Sequence, residues 1–167
     1  LKQAFKDIDL KGKFIEPILN FSHGYESQED TFIDIARQMG VHDAEKVKKA
    51  YHYAVKQQYL CMEEMNRLAS ELIEEIEKNP DQFAMVLFGR PYNSFSDFAH
   101  KGIPQKFASR GMYVIPFDMF FYHDEFVGDH MYWEIGKKIL KTARIVKRHP
   151  QLFATYITNF VCAPDSM

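Results

Sequence analysis

Three short apolar runs constrain this chain more than anything else in it. AMVLF at 84–88, YVIPF at 113–117 and LFATYITNF at 152–160 are each bounded by turn-forming residues. A continuous apolar run of that length suits a strand covered on both faces, as in a parallel sheet. The segments between them carry helical pattern. Residues 97–110 do so with an interruption at Gly102-Ile103-Pro104, which predicts a loop and then a short helix from Pro104, closed by Gly111. A second helix is expected from about His130 to Arg148, capped by Asp129 and stopped before Pro150. Strand, helix, strand, helix, strand predicts an α/β fold: three layers, with a mainly parallel sheet and helices on both faces.

A long amphipathic helix is expected ahead of that core. Ala44, Val47, Tyr51, Ala54, Gln58, Cys61, Met65, Leu68, Leu72 and Ile76 recur at steps of three and four, with Asp43 as cap and Asn79-Pro80 as stop. Cys61 falls in this stripe and is expected in the core. A shorter helix is expected over Glu29–Met39, ended by Gly40. KFIEPILNF at 13–21 has the apolar weight of a strand, weakened by Pro17. The whole reads as a single α/β domain over 1–167, with a helical part at 29–79 and a βαβαβ core at 84–167. It lacks an initiating Met and is expected to be a piece of a larger protein.

Bulk properties exclude some functions. The formal net charge of -2 gives no electrostatic case for nucleic acid or an anionic membrane. No apolar run approaches membrane-spanning length. Two cysteines, Cys61 and Cys162, are too few for a disulfide framework or a four-thiolate metal site. A cytoplasmic, reducing setting is the default expectation.

Ligands of open parallel sheets bind outside the carboxyl ends of the strands. Three segments fall there: GRPYN after the first strand, DMFFYHDEFVGDH after the second and CAPDS after the third. Arg90 offers a rigid donor fork for phosphate or carboxylate, with Tyr92 and Asn93 beside it, or else pairs with a nearby acid in a tight turn. Neither a dinucleotide fingerprint nor a Walker A loop is present. Tyr122, His123, Asp124, Glu125, Asp129 and His130 are the residue types of metal ligands, but without a metal spacing they read as a surface loop. His23 and His42 read likewise as surface residues. Cys162 is on composition an inert strand-end thiol, with an iron-binding thiolate and a nucleophile as the alternatives. Lys137, Lys138, Lys141, Arg144, Lys147 and Arg148 form a basic helix side, expected to be solvated.

Taken together, FGRPYN at 88–93, GIP at 102–104, MYWEIGKKIL at 131–140 and TNFVCAPDS at 158–166 resemble one family. This is the module of activator-related proteins linked to 2-hydroxyacyl-CoA dehydratases, the CoA-substrate-specific enzyme activase proteins. The resemblance spans roughly 84–167 and is weaker over 12–80. Gly89, Arg90, Pro91 and Tyr92 match its Gly-Arg-Pro-Tyr. Tyr132, Trp133 and Gly136 match its late-helix pattern. Cys162, Pro164, Asp165 and Ser166 match a Cys-Gly-Pro-Asp-Ser motif in which Ala163 replaces the glycine.

The resemblance implies electron transfer to, or dehydration of, a 2-hydroxyacyl-CoA, with a [4Fe–4S] cluster as cofactor. Cys162 would be a thiolate ligand, with Arg90 and Tyr92 near it. Arg90, Asn93, Asp165 and Ser166 would face substrate. Activase or dehydratase subunits are the implied partners and acyl-CoA the implied ligand, with no nucleic acid and no membrane. No ATPase site is implied in this stretch, and whether it is itself an enzyme stays open. Two other readings stand beside this one. The first is a non-catalytic domain docking an activase or dehydratase through the basic helix and aromatic loop. The second is a small-molecule-binding enzyme using Arg90.

Overall fold

The computed structural model describes residues 14–128, 131 and 133–158 of the 167. The chain forms two compact units, Leu1–Cys61 and Met62–Met167.

In the first unit a 3-10 turn, Tyr25–Gln28, leads into α1, Glu29–Gln38, and then the first part of α2, Ala44–Glu77. Gly40 ends α1 with φ +86, a conformation that glycine adopts without steric penalty. Asp43 caps α2 by accepting the Lys46 backbone N–H at 3.0 Å. The Phe32 and Tyr51 rings lie 4.7 Å apart, and the Tyr51 hydroxyl donates to the Tyr25 carbonyl at 2.5 Å. The strand expected at 13–21 does not form over its described residues. Residues 14–21 are irregular and Ile18 is 89% exposed. Pro17 has no N–H to give, and no described strand of this unit offers a ladder to join.

The α2 stripe holds in part: Tyr51 and Ile76 are buried and Leu72 packs against the core, while Cys61 and Leu68 fall outside it. Cys61 is exposed rather than in the core. It lies ten residues beyond the buried Tyr51, about 80° round a helix of 3.6 residues per turn. In the second unit Ala69 and Ile76 are buried, while Leu68 is 45% exposed. Steps of three and four follow a 3.5-residue repeat, which drifts across a straight helix by about 20° per heptad.

The second unit is built on three parallel strands, β1 Ala84–Gly89, β2 Tyr113–Pro116 and β3 Leu152–Ile157, in the order β2-β1-β3. Between β1 and β2 run three short helices: α3 Pro91–Ser94, α4 Asp97–His100 and α5 Ile103–Ala108. Lys101 and Gly102, both at positive φ, separate α4 from α5. Within GRPYN, Gly89 ends β1, Arg90 is extended and Pro91 opens α3, where its missing N–H needs no partner. α6, Glu134–Arg148, joins β2 to β3. It starts four residues later than expected, since Trp133 has extended backbone at φ -84, ψ 121. The proposed cap Asp129 and His130 lie outside the described residues, as do 159 and 160 of the expected third strand.

Side chains alternate along β1. Val86 and Phe88 join Ala69 and Ile76 of α2, Val146 of α6, and Ile115 and Phe117 in the core, with Ile135, Ile139 and Ala143 packed against it. Leu87 instead lines a cavity of about 330 Å³ with Val114, Pro104 and Ala108. The result is an α/β fold with a parallel three-stranded sheet flanked by helices. One polar residue ties its base together. The Gln151 amide donates to the carbonyls of Ile76, Asn79 and Gln82 at 2.9, 2.9 and 2.8 Å. The Ile76 and Asn79 carbonyls also accept the backbone N–H groups of Asn79 and Gln82, both at 3.0 Å, so Gln151 adds a second donor where α2 ends.

Candidate functional site

β1 lies between β2 and β3. The chain steps from β1 to one neighbour and then crosses to the other. Such a reversal opens a crevice at the carboxyl ends of the strands, where open α/β sheets bind ligands. The switch point here lies at β1, whose last residue, Gly89, pairs with Ile157 at the exit of β3.

Gly89 has φ +143, and a Cβ on it would sit 2.1 Å from Ser94 Oγ and 2.4 Å from the Ile157 carbonyl oxygen. Only a residue without a side chain lets the two exits approach so closely. Arg90 then leaves the strand with extended backbone and caps α3. Its carbonyl accepts the N–H groups of Asn93 and Ser94, both at 2.8 Å. The Ser94 hydroxyl donates back to the Phe88 carbonyl at 3.1 Å, closing the turn onto the strand.

This turn buries Asn93, 6% exposed, with its side-chain Nδ2 lacking an acceptor among the described residues. Asp118 leaves β2 in the same way. It follows Pro116 by two residues, as Gly89 follows Leu87, the partner of Pro116. Its Oδ1 is buried without a donor among the described residues. Desolvation pushes the Asp118 carboxyl above its ordinary range, against its backbone hydrogen bond and the Lys138 charge. A buried donor and a buried acceptor thus stand unsatisfied at neighbouring strand ends, each costly without a partner.

Of the residues expected at the site, Arg90 is half-buried and Tyr92 is 57% exposed at the β1 exit, next to Asn93. Cys162, Asp165 and Ser166, and Tyr132 of the late-helix motif, lie outside the described residues. Gly136 faces Met131, whose Sδ would be 2.8 Å from a Cβ there. Among the described residues, no group of three or more His, Cys, Asp or Glu side chains could hold a metal ion. Asp118 was not singled out from the sequence. Its signal was an acid placed directly after an apolar run, at a strand's carboxyl end.

The basic side of α6 is not simply solvated. Arg144 donates to the Phe126 carbonyl at 2.5 Å, and Arg148 pairs with Glu125. The Lys138 and Lys141 ammoniums lie 5.8 and 5.9 Å from the centre of the Tyr122 ring. These contacts fix the loop that leaves β2. No described helix is long and apolar enough to cross a membrane.

The family model of the CoA enzyme activase uncharacterised domain (DUF2229) matches residues 1–120. The match includes β1, the Gly89–Asn93 exit, β2 and Asp118. It extends through the N-terminal region where the motif resemblance is weaker, and it ends before the motifs at 131–140 and 158–166. No curated protein and no solved structure matches the chain. With most of its length matched, and with the matched part carrying the β1 and β2 exits, the chain belongs to the CoA enzyme activase uncharacterised domain family.

Proposed function

We propose that the carboxyl edge of the sheet is the working rim of an activator-related domain in a 2-hydroxyacyl-CoA dehydratase system. Arg90 and Tyr92 would stand beside a [4Fe–4S] cluster to which Cys162 gives a thiolate. Asn93, Asp165 and Ser166, with Arg90, would face an acyl-CoA. The observation that supports this most is the pairing of Gly89 with Ile157, because the chain reaches Cys162 five residues after Ile157. The described residues do not by themselves furnish a cluster's ligand set, so the remaining thiolates would come from elsewhere, such as a partner subunit. In this reading the protein is cytoplasmic, and α5 on the Leu87 side of the sheet completes a three-layer core.

Anaerobic reconstitution of the chain together with its partner subunit, followed by iron and sulfide assay, tests the reading. Iron that disappears in Cys162→Ala supports it. Equal iron in both forms, or none in either, overturns it.

A second reading is supported by the first unit. Phe21, Phe32, Ile35, Met39, Val47 and Tyr51 help line an open apolar cavity of about 550 Å³. Met39 in its lining is 69% exposed. An apolar surface of this kind suits docking of an activase or dehydratase subunit. Co-purification with that subunit, lost in Phe32→Asp but kept in Cys162→Ala, would favour docking over cluster chemistry.

A further inference from the structure

The loop leaving β2 and the first turns of α6 enclose a second cleft, of about 410 Å³, lined by His123, Asp124, Glu125, Phe126, Val127, Lys137 and Lys141. Its size is that of a small-ligand site. Lys137 and Lys141 are four residues apart on α6, so two like charges sit side by side on one face, an arrangement that costs stability unless an anion joins them. Among the described residues no ion pair joins Asp124 or Glu125 to either lysine. Glu125 is already held by Arg148, and the Lys137 ammonium has no acceptor among the described residues. Lys141 lies over the Tyr122 ring and feels Glu125 at a distance.

The rest of the lining is equally specific. Phe126 is 71% exposed, yet its backbone is fixed by Arg144. Its ring is an apolar face offered to solvent from a tethered loop, suited to stacking. His123 is packed against Phe121 and Tyr122, with ring centres 5.3 and 5.1 Å away. Asp124 adds an acceptor for hydroxyl or amino groups. A cation is a poor occupant, since no metal-binding group exists among the described residues.

We propose that this cleft binds a nucleoside phosphate, with the phosphate between Lys137 and Lys141, the base against Phe126, and the sugar hydroxyls on Asp124. The site uses no cysteine and stands apart from the cluster reading.

The 167-residue chain is titrated with AMP, inorganic pyrophosphate and adenosine, by calorimetry and by amide NMR. The expected result is saturable AMP binding that shifts amides of 123–127 and 137–141. Lys137→Gln/Lys141→Gln should weaken AMP at least about tenfold, because it removes two charge-assisted contacts. Phe126→Ala should weaken AMP by about threefold and leave pyrophosphate unchanged. Lys147→Gln, on the same helix but outside the cleft, should bind as the parent does. Circular dichroism of the variants confirms that the fold is kept. No saturable AMP binding, undiminished binding by the double lysine variant, or equal affinity for AMP and pyrophosphate would overturn the proposal. An iron assay leaves this outcome untouched, so the two readings fail separately.

Discussion

The carbonyl oxygen of Ile157 occupies the space that a side chain on Gly89 would need, 2.4 Å from the position of its Cβ. Two parallel strands therefore leave the sheet in contact. Gly89→Ala is expected to cost about 3 kcal/mol, from positive φ combined with a clash against backbone. Urea denaturation measures it. Ser94→Ala alone should cost about 1 kcal/mol by removing the hydrogen bond to Phe88. Combining the two should not rescue Gly89→Ala, because the Ile157 carbonyl stays in place.

Asp118 makes stability depend on pH in a defined sense. Its folded pKa is raised, so the folded state holds the proton more tightly than the unfolded chain does. The stability this group contributes is present below the unfolded value of about 3.9 and is lost as pH rises from there through the folded pKa. Asp118→Asn should flatten that part of the profile and be more stable than the parent at neutral pH. Urea midpoints measured from pH 4 to 7 give the comparison, and a less stable variant at pH 7 would contradict it.

Gln151 serves three carbonyls at once. Gln151→Ala should cost about 1 kcal/mol, since the acceptors are only partly buried and those of Ile76 and Asn79 keep a backbone N–H donor. Hydrogen exchange should quicken first around 76–84, where those carbonyls sit.

Position along α2 can be tested by contrast. Ile76, with no exposed surface, should cost about 2–5 kcal/mol on truncation to Ala. Cys61→Ser should change stability by no more than about 0.5 kcal/mol, since the residue is exposed. Near-equal losses at the two positions would put Cys61 back in a core.

The tether on the β2 exit loop is electrostatic. Arg148 and Arg144 hold the Glu125 carboxyl below its usual range, with Arg148 the main cause. The pair's contribution is present above the unfolded carboxylate pKa and lost as pH falls through the folded one. Amide exchange at 122–127 should therefore accelerate on acidification and in Arg148→Gln, with global stability little changed.

Part of this protein is written locally. The apolar runs at 84–88 and 113–117 specify strands, their continuous hydrophobicity specifies a parallel pair, and Gly40 and Asp43 mark helix ends. These features depend on neighbours a few residues away, so composition and spacing reveal them. The motif at 89–93 was placed at the β1 exit because it directly follows the apolar run, and Gly89 does end β1.

Tertiary structure decided what depends on distant partners. Which side of α2 is buried follows from the actual helical pitch against each unit, and that removed Cys61 from the core. Residues 14–21 met no strand among the described residues of their unit to pair with, and Pro17 has no N–H to offer one. The order β2-β1-β3 brought Gly89 against Ile157, far along the chain, and left Asn93 Nδ2 and Asp118 Oδ1 buried past the ends of adjacent strands with no partner among the described residues. The basic face of α6 became the anchor of a loop because Glu125 and the Phe126 carbonyl reached it. A sequence names the charges and the donors. Only packing determines which of them are buried, and a buried polar group must then find a partner or a ligand.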